Sequence, residues 1–189
     1  MKEYIINYEL SKKIFEENKG LIKRNECYKN VFNIFLYNIL EDKNPKYCVG
    51  YAIKGDFVYR HGFIRIEDKI IDPTPFSYSN EKEVNDLKYM IFSEYSGKEY
   101  RDLFLTEKSK FYGLEDSIAE EEVKFIEENN LFEKINMIDI TNLIRNYYVS
   151  ILKKLGCDGY MELTRKILTT KKFIDIEVVK GELENGEFI

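Results

Sequence analysis

A chain of 189 residues and 22.6 kDa, 44% hydrophobic and 33% charged, has the composition of a folded domain with at most a small appendage, and not of a disordered or collagen-like chain. It holds one histidine, three cysteines and no glutamine. Imidazole chemistry must therefore pass through His61; Cys27, Cys48 and Cys157 are spaced too widely for a CxxC metal pair, and their odd, sparse count argues against a disulfide framework. The net charge of −5 divides into +2 over residues 1–80 and −7 over 81–189. Lys and Arg never run more than two together, so a phosphate-tracking stripe is missing and nucleic acid is not the expected partner.

The N-terminus carries acids where a signal peptide has its apolar core, and no run approaches the ~18 apolar residues of a membrane span. The expected setting is cytoplasmic and reducing, without membrane, metal or cofactor. The oligomeric state is not written in the sequence.

Ser11 is the expected cap of a short first helix that ends at Gly20. A better-defined helix starts after Asn25 and runs from Cys27 to Leu40. Its apolar face carries Cys27, Val31, Ile34 and Phe35. Asn44-Pro45 breaks that pattern. From Tyr47 to Ile53 large and small residues alternate, as in a strand packed closely on one side. Lys54-Gly55-Asp56 is a turn, and Phe57 to Ile66 returns. A two-residue turn at Glu67-Asp68 would pair Ile66 with Lys69 and set Phe63 opposite Asp72. His61 and Asp72 then share one face of the sheet.

From residue 81 the pattern becomes mainly helical. Ser117 to Glu120 reads as a capping box, and Ile140 to Leu155 as a long apolar stripe ending at Gly156. Asp158 to Met161 and Phe173 to Val179 read as closing strands, with a hairpin signal at Asn185-Gly186. The expected architecture is α+β. An antiparallel sheet packs against an N-terminal helix that bears the nucleophile in residues 1–80, followed by a mainly helical extension over 81–189.

A thiol becomes a nucleophile when its pKa is lowered and a base takes its proton. The first turn of a helix does the first, through its unpaired amides. A histidine does the second, with a carboxylate behind it to fix the tautomer. Cys27, His61 and Asp72 occur in that order on helix, strand and strand end. Cys48 and Cys157 read as packing residues.

The stretches Glu26-Cys27-Tyr28, Tyr47-Cys48-Val49-Gly50-Tyr51-Ala52, His61-Gly62-Phe63-Ile64-Arg65-Ile66 and Ile71-Asp72-Pro73-Thr74 resemble the transglutaminase-like branch of the papain-like cysteine enzymes. The resemblance covers residues 25–76. It implies Cys27 as nucleophile, His61 as base and Asp72 as the orienting acid. The activity implied is cysteine-dependent hydrolysis or acyl transfer on amide bonds of a protein or peptide substrate: peptidase, amidase, deamidase or transglutaminase-like. With no glutamine to serve as the oxyanion donor, the Cys27 amide and the side chain of Asn25 or Tyr47 are the expected donors. The rival expectation is a non-catalytic protein-binding factor, of phage or host-interaction type, on the same scaffold.

Overall fold

β-branched and aromatic residues crowd the segment from Lys46 to Ile71, and there the computed structural model forms strands. The structure describes residues 2–106, 118–154 and 159–186. It divides into two compact units, Met1–Leu114 and Glu115–Ile189. The protein is α+β.

In the first unit, β1 (Tyr4–Ile6), β2 (Lys46–Lys54), β3 (Phe57–Ile66), β4 (Lys69–Ile71) and β5 (Lys88–Ser96) form a closed barrel in the order β1-β4-β3-β2-β5. The sheet is mixed rather than the antiparallel one expected from sequence. β1 runs parallel to β4 and antiparallel to β5. A ring of five strands cannot alternate direction all the way round, so closure requires one parallel pair. By filling that place β1 leaves the barrel without a free edge. The expected boundary at residue 80 is also displaced, because β5 lies beyond it and pairs along nearly the whole of β2.

The hairpin registers follow from turn chemistry. Gly55, at φ +61°, lets Lys54 pair with Phe57. Glu67-Asp68 makes the anticipated two-residue turn, with Ile66 opposite Lys69 and Ile64 opposite Ile71. Between β2 and β5 the register slips at Val49/Gly50. There the two backbones approach so closely that a Cβ on Gly50 would lie 1.8 Å from the Met90 carbonyl oxygen. At one end of the barrel Arg65 and Lys46 converge on Glu94. Arg65 donates from Nε and Nη2 to the two carboxylate oxygens at 2.8 and 2.7 Å, and Lys46 Nζ lies at 2.8 Å.

Helices α1 (Tyr8–Glu17), α2 (Cys27–Leu36), α3 (Glu81–Asn85) and α4 (Gly97–Thr106) belong to the same unit. α1 is capped by Asn7, whose Oδ1 accepts from the Leu10 amide. Ser11 instead lies inside the helix, fully buried. α2 packs on β3 and is shorter than its periodicity suggests, because Asn38 takes a left-handed conformation at φ +53°. One contact sets the closeness of that packing. A Cβ on Gly62 would fall 2.4 Å from Tyr28 Cδ1.

The second unit holds α5 (Ala119–Glu128), α6 (Met137–Lys154), α7 (Tyr160–Thr170) and α8 (Ile176–Glu184), with α6 against both α5 and α7. The stripe Ile140, Leu143, Ile144, Tyr148 and Leu152 of α6 is buried. Its expected end at Leu155-Gly156, the cap at Ser117, Asp158 and Cys157 lie outside the described residues. The two closing strands expected here are helices. Tyr160 and Met161 open α7, and Phe173 leads into α8. The decisive residue at α8 is Asp175, whose carboxylate accepts from the Glu177 amide at 2.7 Å and nucleates the helix. Asn185-Gly186 is the end of α8, with Gly186 at φ +74°, rather than a hairpin turn.

Candidate active site

The structure brings Cys27, His61 and Asp72 together. Cys27 is the first residue of α2, half-buried and not in a disulfide. His61 lies on β3, 3% exposed, and Asp72 follows β4, with no exposure. His61 Nε2 lies 2.7 Å from Asp72 Oδ2. That bond places the proton of the neutral ring on Nε2 and leaves Nδ1 as the nitrogen for the thiol. Cys27 lies close enough to the His61 side chain and to the Gly62 backbone amide for both to act on its thiol.

The electrostatics follow from these contacts. Burial pushes the Cys27 thiol up, but His61 and the Gly62 backbone amide outweigh it and hold the thiol below its ordinary range. Burial pushes His61 down, while Asp72 and Cys27 raise it well above the ordinary imidazole range. The two shifts describe one coupled pair, poised toward thiolate and imidazolium. Cys48 is the contrast. It lies in the barrel core with Ala52, Phe63, Ile70 and Tyr89, fully buried, with its thiol pushed far up by burial.

Asp72 is held on every side. Tyr89 of β5 donates its hydroxyl to Oδ2 at 3.0 Å, and the Thr74 amide donates to Oδ1 at 3.0 Å. The Asp72 amide itself donates to Ser11 Oγ at 3.0 Å. The rings of Tyr59, Phe63 and Tyr89 surround His61 with centroids at 5.6, 6.2 and 6.4 Å. Tyr78 is 40% exposed and contributes to the same electrostatic neighbourhood, its ring covered by the Arg24 guanidinium at 5.5 Å.

The supports of these three residues come from elsewhere in the chain: Ser11 from inside α1 rather than at its cap, and Tyr89 from β5, which lies in a stretch whose sequence pattern is mainly helical. Asn30 had a visible signal, being a polar residue three positions after Cys27 on the inner side of a helix.

The two expected oxyanion donors behave differently. Asn25 is exposed, sits at φ +60°, and does not cap α2, whose N-cap is Glu26. Tyr47 is fully buried on β2, stacked on Tyr100 at 3.9 Å, and interacts electrostatically with Cys27. Glu26, next to the thiol, is paired with Lys29 at 3.2 Å, which offsets its opposition to a thiolate. Two surface cavities of about 250 and 400 Å³ lie further along α2, lined by Phe35, Asn38, Gly97 and Arg101 among others. Neither includes Cys27 or His61.

Among the described residues no group of three or more His, Cys, Asp or Glu could hold a metal ion, and no helix is long and apolar enough to cross a membrane. Comparison with family models, curated proteins and solved structures finds no match to the chain.

Proposed function

We propose that the protein is a cysteine-dependent hydrolase or acyl transferase acting on amide bonds of a protein or peptide, on a papain-like scaffold of the transglutaminase-like kind. In that reading α2 is the nucleophile-bearing helix. The observation that carries it is that Cys27, His61 and Asp72 act on one another in a single group, with His61 Nε2 at 2.7 Å from Asp72 Oδ2. The Cys27 thiolate attacks the carboxamide carbon, and the carbonyl electron pair moves onto oxygen. The His61 imidazolium gives its proton to the leaving nitrogen as the C–N bond breaks, which leaves a thioester. Water or an amine then attacks the thioester while His61 takes its proton, and the thiol is released. Asp72 keeps the ring oriented and stabilises the imidazolium.

The oxyanion is assigned to the Cys27 amide, one of the unpaired donors of the first turn of α2, with Tyr47 as the side chain nearest in kind. Asn25, exposed and outside the cap, is the weaker of the two expected donors. The rival reading, a non-catalytic binding protein, draws on the groove beside Phe32, Phe35 and Leu36.

One experiment separates them. The intact protein is treated with iodoacetamide at neutral pH, and modification of each cysteine is followed by mass spectrometry. The enzyme reading expects Cys27 to react faster than Cys48 and Cys157. It also expects a thiol-directed activity probe to label the wild type and not Cys27→Ala. Equal and slow reaction of all three thiols supports the binding protein.

A further inference from the structure

Asn30 and Thr74 take no part in the proposed chemistry, yet their hydrogen bonds complete a ring around it. Asn30 lies three residues after Cys27 on α2, completely buried. Its amide group is fully engaged. Oδ1 accepts from the Lys23 amide at 2.9 Å, and Nδ2 donates to the Lys23 carbonyl at 2.7 Å and to Thr74 Oγ1 at 3.1 Å. The first two bonds clasp the strand of chain that leads into Cys27. The third reaches across to the turn after β4. There the Thr74 amide donates to Asp72 Oδ1, and Asp72 Oδ2 in turn receives His61. The path therefore runs from Cys27 to His61, Asp72, Thr74 and Asn30, and returns to Cys27 along one turn of α2.

We infer that the Asn30–Thr74 hydrogen bond is a positioning contact: it ties α2, and with it the Cys27 thiol, to the turn that carries Asp72, so that the thiol and the imidazole stay in register. The inference rests on the Cys27–His61 pairing proposed above. The physical reason is that α2, β3 and the turn after β4 are separate segments of chain. Proton transfer between Cys27 and His61 tolerates only a fraction of an ångström of drift between them. Thr74 meets this need from the side of the acid. One residue receives the helix through its side chain and holds the carboxylate through its amide.

The test uses the intact chain and iodoacetamide at pH 7, with Cys27 modification as the readout. Thr74→Val keeps the shape and the amide bond to Asp72 but removes the oxygen that Asn30 reaches. Thr74→Ala does the same with less bulk, should the valine methyls not be accommodated. Either variant is expected to slow Cys27 labelling about tenfold, and Thr74→Ser is expected to restore it. In a His61→Gln background the same Thr74 substitution is expected to have no further effect, because a positioning residue acts only through its partner. Wild-type labelling rates in both Thr74→Val and Thr74→Ala overturn the inference. So does a loss of equal size in the His61→Gln background, which marks general loosening. Failure of the underlying pairing is distinct: wild-type Cys27 would then label no faster than Cys48, or would be indifferent to His61→Gln.

Discussion

In the unit of residues 1–114, the buried side chains of Ser11, Asn30, His61, Asp72 and Thr74 bond to one another and to nearby backbone across α1, α2, β3 and the turn after β4. In the unit of residues 115–189, buried Thr164 bonds only to the Tyr160 carbonyl one turn back on its own helix, at 2.8 Å. These named polar groups are satisfied in both cases, but the geometry differs. A bond within a helix is made automatically when the helix forms. A network joining distant segments forms only when all of them dock, and it then fixes their side chains to a fraction of an ångström. The barrel unit has the second kind where a thiol, an imidazole and a carboxylate meet. The helical unit buries the apolar stripe of α6, and a cross-segment bond there, from the Tyr148 hydroxyl to the Ile174 backbone, joins one side chain to main chain rather than several side chains to one another.

This contrast can be broken first at its centre. The Cys27 thiol is held below its ordinary range by His61, against burial. In the wild type, labelling therefore draws on a larger thiolate fraction than an ordinary thiol supplies, and its onset lies below the ordinary ~8.5. His61→Gln removes the cation and leaves burial, which raises the thiol, so labelling sets in above the ordinary ~8.5. The expected loss at pH 7 is about 10²-fold, measured by iodoacetamide kinetics across pH. A pH profile unchanged by the substitution would dissolve the distinction between the two units.

Next come the glycines that let the barrel close and α2 approach. Gly50→Ala drives a Cβ to 1.8 Å from a backbone oxygen of β5, which no rotamer change relieves. It is expected to cost about 3 kcal/mol or more in chemical denaturation. Gly62→Ala drives a Cβ to 2.4 Å from Tyr28 Cδ1, a ring whose hydroxyl Arg60 also holds. A cost of about 1–3 kcal/mol is expected, together with slower Cys27 labelling, because α2 must lift from β3.

The helical unit should respond in stability alone. Tyr148 is buried on α6, and its hydroxyl donates to the Ile174 carbonyl at 2.5 Å and accepts from the Ile174 amide at 2.9 Å. Tyr148→Phe leaves those two backbone groups without that partner, at an expected cost of about 1–3 kcal/mol, with Cys27 labelling unchanged. The smallest effect is expected at Arg165, whose bond to Glu162 is fully solvent-exposed. Arg165→Ala should move neither the melting temperature nor the labelling rate measurably.

Much of the site was legible because its signals are local. A cysteine just after a helix boundary, a strand with period two, and a two-residue turn at Glu67-Asp68 suffice to set His61 and Asp72 on one face. The closing strands were misread for the converse reason. The alternation from Phe173 to Val179 suits a strand, but Asp175 caps a helix there, and one capping bond decides between two periodicities that seven residues cannot separate. β5 was hidden because Tyr89, Met90 and Ile91 follow a helix-like acidic stretch, and their partners on β2 lie about 40 residues upstream.

By itself the sequence determined the chemistry available to this protein: one imidazole, a helix-start thiol and an aspartate eleven residues after the histidine, all fixed by short-range propensity and turn length. Only the tertiary structure decided what surrounds them. Closure of an odd-stranded barrel brought β1 and β5 into place, and with β5 came Tyr89. Docking of α2 and α1 brought Asn30 and Ser11 to the turn that carries Asp72. Those contacts span up to 61 residues, and no local pattern encodes which side chains will meet across such a distance.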